Sequence, residues 1–320
     1  MNVDSDFPFF TIAIPAFKDS FLKECIDSIL AQSYTQFEIV LVNDASPYDL
    51  DTIILSYNDS RIRYYKNERN FGAVNVVKNW NKCLEYAKGD FIICMGDDDK
   101  LLPNCLEEYV SLIEKYPGLG VYHAWTILID ENSNFKGMTS SRCPFESIYS
   151  LIWHRWNERR NQFIGDFLFK TDYLRINGGF YFLPLAWGSD DITAAIAAKK
   201  QGIANTQKPC FCYRINTQTI SKTGDLELKM QAICGEFEWY KDFLKDKPND
   251  DLDIKYWICL KSQLLPFFER KKALNVAMDL GNKSLFRIFY WYKKRNIYKI
   301  TQRALLYALY EGIKIKLSNK

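Results

Sequence analysis

Four groups of residues in this chain could do chemistry. Gly96-Asp97-Asp98-Asp99 sets three carboxylates in a row, directly after an apolar run at 91–95. Adjacent carboxylates repel, so a loop keeps them together through a cation or by leaving them in solvent. Magnesium typically takes one or two carboxylates and completes its shell with water and substrate phosphate. The run therefore suits a metal–diphosphate site, with a solvated acidic turn capping the next helix as the alternative. Asp44, in Asn43-Asp44-Ala45-Ser46-Pro47, could receive hydrogen bonds from a base or ribose, or serve as a turn residue. Phe17 could stack on a base or pack in the core. Asp190 and Asp191 precede a helical pattern, where one could cap the helix and the other act as a general base.

The elements that must position these groups alternate. Residues 9–15 read as a buried strand stopped by Pro15. A helix follows on Leu22, Cys25, Ile26, Ile29 and Leu30, then strands over 37–42 and 62–65. Val77, Trp80, Leu84 and Ala87 mark one face of a helix that Gly89 can end. A strand at 91–95, a helix over 104–116, a strand over 121–129 and an irregular stretch over 139–161 come next. A helix after Asp191 runs to Gly202, 210–215 reads as a short strand, and the chain is mainly helical from Leu226, with a loop or hinge at 245–253. Near-continuous apolar strands alternating with helices predict an α/β fold with a mostly parallel sheet flanked by helices. Ligands of such sheets bind beyond the carboxyl ends of the strands, where Asp44 and Asp97–Asp99 fall.

Composition narrows the classes. The 320 residues are 48% hydrophobic and 25% charged, which excludes a disordered or fibrous chain. No stretch approaches 18 uncharged apolar residues, so no membrane-spanning helix is expected, and the short acidic start at 1–6 does not read as a secretory signal. The nine cysteines include no CxxC pair and several lie in apolar runs, as buried free thiols of a reducing cytosol do. Dinucleotide, P-loop, HExxH and GxSxG motifs are missing. His123 reads as a structural histidine within a strand. The net charge of +3 hides an asymmetry: residues 261–320 carry 14 Lys or Arg against 3 Asp or Glu, and residues 1–260 carry 28 against 36.

In order along the chain, Thr11-Ile-Ala-Ile-Pro-Ala-Phe17, Gln32-Ser-Tyr34, Phe37-Glu-Ile-Val-Leu-Val-Asn-Asp-Ala-Ser46, Asn70-Phe-Gly72 and Gly96-Asp-Asp-Asp-Lys-Leu-Leu-Pro103 resemble the family-2 glycosyltransferases. Trp187-Gly-Ser-Asp-Asp191, Gly202 and Tyr213-Arg-Ile-Asn216 complete the resemblance, which covers roughly residues 8–222. It implies a GT-A nucleotide-diphospho-sugar transferase fold, a nucleotide-sugar donor (most often a UDP-sugar), Mg2+ or Mn2+, and inverting hexosyl transfer. Pro15, Ala16, Phe17 and Lys18 would lie at the nucleotide, with Asn70 and Gly72. Asp44 would contact the base. The acidic pair before Leu101-Leu102-Pro103, a DXD-type motif, would be Asp98 at the ribose or metal and Asp99 at the metal, with Asp97 a further nucleotide-side candidate. Asp191 would be the catalytic base, with Asp190 as second choice. Arg214 and Asn216 would lie on the phosphate or metal side. Asn216 stands where the family often has His and is a poorer metal ligand, so water or phosphate would complete the shell. Lys18 stands where Asn is common and would bring an amine toward the donor.

The implied domains are a catalytic domain over 1–225, with a nucleotide-binding half at 8–130 and an acceptor-side half at 131–225, and a helical basic region over 226–320. That region mixes aromatics with Lys and Arg. It reads either as a peripheral membrane surface over 255–320 or as a helical subdomain packed on the acidic body with its cations solvated. The acceptor would be a hydroxyl of a glycan or lipid-linked oligosaccharide of bacterial surface polysaccharide synthesis, in a cytoplasmic enzyme; in the first case it would be polyprenyl-linked, with the enzyme at the inner face of the cell membrane. No nucleic-acid partner is expected. A catalytically inactive nucleotide-sugar-binding subunit and a membrane-surface binding module are the competing functions.

Overall fold

The computed structural model describes residues 7–216 and 225–318. The acidic start at 1–6 lies outside them, as does 217–224, just before the expected boundary at 225. The chain divides into two compact units, which among the described residues are 7–182 with 189–216, and 183–188 with 225–318.

The first unit is built on one sheet. Strands β1 (Phe10–Ala16), β2 (Phe37–Asn43), β3 (Ile62–Lys66) and β4 (Phe91–Cys94) run parallel in the order β3-β2-β1-β4. Alternate residues of these strands, among them Ile12, Ile14, Ile39, Leu41 and Ile93, form one buried face. Against it pack α1 (Leu22–Leu30), α2 (Leu50–Leu55) and α4 (Cys105–Lys115). In α1 the buried Leu22, Cys25, Ile26 and Ile29 recur at helical spacing. Helix α3 (Val76–Tyr86) packs on β1 and β2 through Val77 and Trp80. Every residue of β2 is buried, which explains its unbroken apolar run.

Beyond β4 the sheet becomes mixed. Strand β9 (Phe167–Lys170) lies antiparallel between β4 and β6 (Val121–Ile129), and β6 is parallel to β10 (Ile203–Arg214). The two-residue β5 (Lys100–Leu101) pairs antiparallel with β10 at Cys212 and Phe211. Two short strands, β7 (Phe135–Met138) and β8 (Phe145–Glu146), pair with β6 and β10. Helices α5 (Ile148–Trp156), α6 (Thr171–Ile176) and α7 (Ser189–Ala198) complete the unit.

Strand β10 is longer than the expected 210–215. Its first half is masked in the sequence by the polar run Asn205–Lys208 and by register shifts around Pro209. Those polar groups are tied locally, Thr206 Oγ1 donating to Lys208 O and Gln207 Nε2 to Asn205 O. A proline in a strand belongs at such an irregularity.

In the second unit, α8 (Leu226–Phe243), α9 (Asp251–Asn282), α10 (Ile288–Lys294) and α11 (Gln302–Ser318) enclose a separate core. Asp225 and Asp250 cap α8 and α9 by accepting main-chain N–H bonds. Helices α9 and α11 approach closely because a Cβ at Gly312 would fall 2.8 Å from Leu280 Cβ, and one at Gly281 would fall 2.5 Å from Ile315. The buried Asp279 accepts from Trp291 Nε1 at 2.8 Å and pairs with Arg287 and Lys283. The basic end thus builds a core of its own.

All nine cysteines are free thiols; Cys143 and Cys259 are exposed. Among the described residues no helix is long and apolar enough to cross a membrane.

Candidate active site

The acidic turn follows β4 directly, and main-chain groups hold it. Asp97 Oδ2 accepts from the backbone N–H of Phe17 and of Lys18, both at 2.7 Å, which ties the exit of β1 to the exit of β4. Asp99 Oδ1 accepts from Arg214 N at 3.0 Å, a contact made possible because β5 pairs with β10. Asn216 Nδ2 donates to Asp98 Oδ2. Asp98 Oδ1 and Asp99 Oδ2 turn toward Gly96. Both face the space that a Cβ on Gly96 would fill, at 2.7 and 3.1 Å from it. A larger residue there would require the Asp98 carboxylate to shift.

The electrostatics follow. Burial, and then the Asp98 charge, push the Asp99 carboxyl well above the ordinary range. The same causes push Asp97 up to about 6, against the two backbone N–H groups that favour its anion. A divalent cation relieves such crowding. Among the described residues no group of three or more His, Cys, Asp and Glu side chains stands ready to hold a metal. Magnesium takes one or two carboxylates beside substrate phosphate, and Asp98 and Asp99 are the pair whose crowding it would relieve.

The guanidinium of Arg214 is buried and fully engaged. It donates to Asp98 O at 2.7 Å, Glu24 Oε2 at 2.7 Å, and Asp130 O and Ser133 Oγ at 3.0 Å, and it lies over the Phe21 ring. It braces the acidic turn. Asn216 touches the same turn. Glu24, which gave no sequence signal beyond its place in the first turn of α1, also receives Lys100 Nζ at 2.6 Å.

Asp44, at the end of β2, is buried and anchored. Its carboxylate accepts from Asn67 Nδ2 at 2.9 Å and from Phe71 N at 3.0 Å, and Asn70 Nδ2 donates to its carbonyl at 2.7 Å. Gly72 follows with φ of 75°, which suits glycine. The loop 67–72 therefore closes over the β2 exit. Pro15 and Ala16 end β1, and Asp44 N donates to Ala16 O at 3.0 Å. The Phe17 ring is 38% exposed and meets Tyr48 edge-on. Strand pairing thus gathers the 15–18, 44, 70–72 and 97–99 residues at one sheet edge.

The second acidic pair opens α7. Asp191 is buried; Arg155 Nε of α5 lies 3.1 and 3.2 Å from its two oxygens, and Gln162 Nε2 donates to Oδ1 at 2.6 Å. Arg142 Nη2 fixes Gln162 by donating to its Oε1 at 3.2 Å. Burial and the Asp191 charge push the Asp190 carboxyl up to about 7, with Arg155 opposing the rise. Burial, and then the charges of Asp99, Asp98 and Asp190, push the Tyr213 phenol well up. Its ring stacks on Phe163 at 3.7 Å. Arg155, Gln162, Tyr213 and Phe163 carried no sequence signal as site residues; only Tyr213 fell within a quoted motif. His123 is buried, its Nε2 3.4 Å from Asp166 Oδ2, and burial lowers its pKa, so it is a neutral structural group.

The mixed sheet and its flanking helices form an α/β fold of the GT-A type. Residues 11–181 match the family described as glycosyl transferase family 2, and the chain belongs to that family. An uncharacterized glycosyltransferase of Rickettsia typhi is 32% identical over 129 residues, 40% of this chain and 39% of that protein. An uncharacterized glycosyltransferase of Methanocaldococcus jannaschii is 31% identical over 151 residues, 45% of this chain and 51% of that one. The chain therefore spans about two fifths to one half of these relatives' length. The crystal structure of Staphylococcus aureus TarS residues 1–349 with UDP-GlcNAc is similar with a TM-score of 0.65 and 14% identity, covering 97% of this chain and 91% of that one. It shares the GT-A fold with this chain.

Proposed function

We propose that this chain is an inverting glycosyltransferase that moves a hexosyl group from a UDP-sugar to a hydroxyl of a glycan or polyprenyl-linked oligosaccharide. The observation that carries the reading is the acidic turn Asp97–Asp99 tied to the exits of β1 and β10, together with an Asp191 carboxylate oriented by Arg155 and Gln162 in the same unit. Family membership and the likeness to a UDP-GlcNAc-bound fold support it.

The residues would act as follows. Phe17 offers its exposed ring to the base, and Asp44, already oriented by Asn67 and Phe71, accepts from the uracil edge. Asp97 sets the backbone of Phe17 and Lys18, so it shapes the nucleotide side without spending its carboxylate on ligand. Asp98 and Asp99 would hold Mg2+ or Mn2+, which when bound offsets charge on the departing diphosphate. Asp191, oriented by Arg155 and Gln162, takes the proton of the acceptor hydroxyl. The acceptor oxygen bonds to the anomeric carbon from the face opposite the diphosphate, and the bond from that carbon to the diphosphate oxygen breaks. UDP leaves with its electron pair and the configuration inverts. Asp190 is the alternative base. A polyprenyl-linked acceptor of surface polysaccharide assembly sits in a membrane, so the reading includes peripheral contact with its cytoplasmic leaflet.

A thermal-shift screen of UDP, other nucleotide diphosphates and nucleotide sugars, with and without Mn2+, tests the donor site. Stabilisation by a UDP species that Mn2+ strengthens and Asp99→Ala removes is the expected result. No response to any nucleotide in the folded chain overturns the donor-site reading. A UDP response without transfer to any hydroxyl acceptor would mark a nucleotide-sugar-binding subunit.

A further inference from the structure

We infer that the outer faces of α10 and α11 form a docking surface for an anionic lipid bilayer. Helix α11 is apolar on two sides. Ala304, Leu305, Ala308 and Gly312 face the core of the helical unit. On the opposite side, with successive residues turned by about 100°, one stripe about 120° wide collects every outward residue from 303 to 317. Ile313, Leu306, Leu317 and Tyr310 take one side of it, and Arg303, Lys314 and Tyr307 the other. Leu306 is 69% and Leu317 65% exposed. A helix that served only to close the core would carry polar residues there.

Helix α10 extends the same surface. Phe289, Tyr292 and Lys293 are exposed at helical spacing, and Phe286, one turn earlier, is 81% exposed. Between the two helices runs an apolar groove of about 240 Å³, lined by Ile288, Tyr292, Leu305, Leu306 and Leu309 with Gln302. Tyr292 and Leu306 belong both to the groove and to the outer faces, so the faces are continuous. The groove offers room for part of an acyl chain.

Charge selects the occupant. Residues 285–318 hold eight Lys or Arg against Glu311 alone. Arg287, Lys294, Lys299 and Lys314 have carboxylate partners. Lys293 and Arg303 have none among the described residues. A second copy of the chain would bring two such basic surfaces together, and like charges oppose that. A nucleic acid would use the cations and rings but leave Leu306, Ile313 and Leu317 in water. A leaflet of anionic lipid satisfies the cations and takes the aliphatic and aromatic side chains at the acyl boundary. The inference deepens the membrane-contact part of the functional reading and does not depend on the donor.

The test is co-sedimentation of the full chain with vesicles of phosphatidylcholine alone and of phosphatidylcholine with about one third phosphatidylglycerol. The expected result is binding at least about tenfold tighter to the anionic vesicles, weakening as salt shortens the screening length. Lys293→Gln with Arg303→Gln is expected to lower affinity by roughly 25-fold, at about fivefold per cation near the surface. Leu306→Ser with Leu317→Ser is expected to lower it even at low salt, while the melt followed by circular dichroism and the UDP-induced thermal shift stay at parent values. Equal affinity for neutral vesicles, no binding to either, or indifference to both double variants would overturn the inference. So would a lipid-free dimer in light scattering that Leu306→Ser dissolves, or an oligonucleotide that competes the vesicles away. A missing UDP shift with intact vesicle binding would overturn the donor reading alone.

Discussion

The two acidic clusters of the first unit are built in opposite ways. At Asp97–Asp99 the main chain does the holding: N–H groups of Phe17, Lys18 and Arg214 reach two of the carboxylates, and Gly96 leaves space for the rest. At Asp190–Asp191 side chains do it: Arg155 of α5 and Gln162, the latter steadied by Arg142, come from the stretch before β9. Main-chain donors are set by which strands are neighbours. Side-chain donors are set by individual rotamers, Arg155 on α5 and Gln162 on the irregular chain after it. The first cluster is therefore as rigid as the sheet, and the second can be retuned by single substitutions far from it in sequence. Both start from an excess of negative charge, but the first is tied to the exits of β1 and β10 by main-chain donors and the second is held by side chains.

The largest effect should come from the second cluster. Asp191→Asn keeps both Arg155 and Gln162 within reach of a similar side chain but removes the base. Transfer is expected to fall by about 10²–10⁴-fold, with the UDP-induced thermal shift unchanged. Full transfer by this variant would move the base role to Asp190. Asp99→Asn should cost about 10²–10³-fold in transfer, and here the strengthening of UDP binding by Mn2+ should disappear as well. If both variants lost Mn2+ response equally, the separation between a cation-side cluster and a proton-side cluster would fail.

The same contrast explains what the sequence made legible. The ends of β2 and β4 could be read from apolar runs closed by Asn43-Asp44 and Gly96, whereas β1 continues through Pro15 to Ala16, past the expected stop; the sheet's logic then placed Asp44 and Asp97–Asp99 at one edge. Strand β5 is only two residues long and leaves no pattern, yet it delivers Asp99 to Arg214. Arg214, expected on the phosphate or metal side, has its guanidinium on Glu24, Asp130 and Ser133, a brace that its motif alone does not encode. Such long-range polar contacts depend on tertiary placement, which one sequence without its relatives does not encode as a period. The basic end was readable as helical and amphipathic. Its own core, closed by Gly281 against Ile315 and by Gly312 against Leu280, was not, because the glycines matter only once two helices meet.

A smaller effect probes the side-chain clamp itself. Arg155→Ala removes the cation that orients Asp191 and opposes the rise at Asp190. Misplacing a catalytic group by a fraction of an ångström to one ångström costs up to about a hundredfold in rate, so transfer should drop about tenfold to a hundredfold, mainly in kcat with KM for the donor near its parent value. Arg155→Lys should recover part of the loss. A change confined to donor KM would place Arg155 in nucleotide binding instead. The matching change in the first cluster, Gly96→Ala, should instead act on metal response, since its methyl would fall 2.7 Å from Asp98 Oδ1.

The smallest effect is one of stability, and it tests whether Asp190 is held at a cost. In the folded chain its carboxyl keeps a proton up to about pH 7, whereas its ordinary value is 3.8. Between those values the unfolded chain has released a proton that the folded chain retains, so folding stability falls as pH rises through this window, and above pH 7 the loss is complete. Asn at this position has no proton to release. The melting temperature of Asp190→Asn, relative to the parent, should therefore be higher at pH 8 than at pH 5, by a few degrees. In the Asp191→Asn background the gain should shrink, because the neighbouring charge contributes to the rise. An equal melting difference at both pH values would mean that Asp190 is ionised at little cost, and the second cluster would then be no more strained than an ordinary helix start.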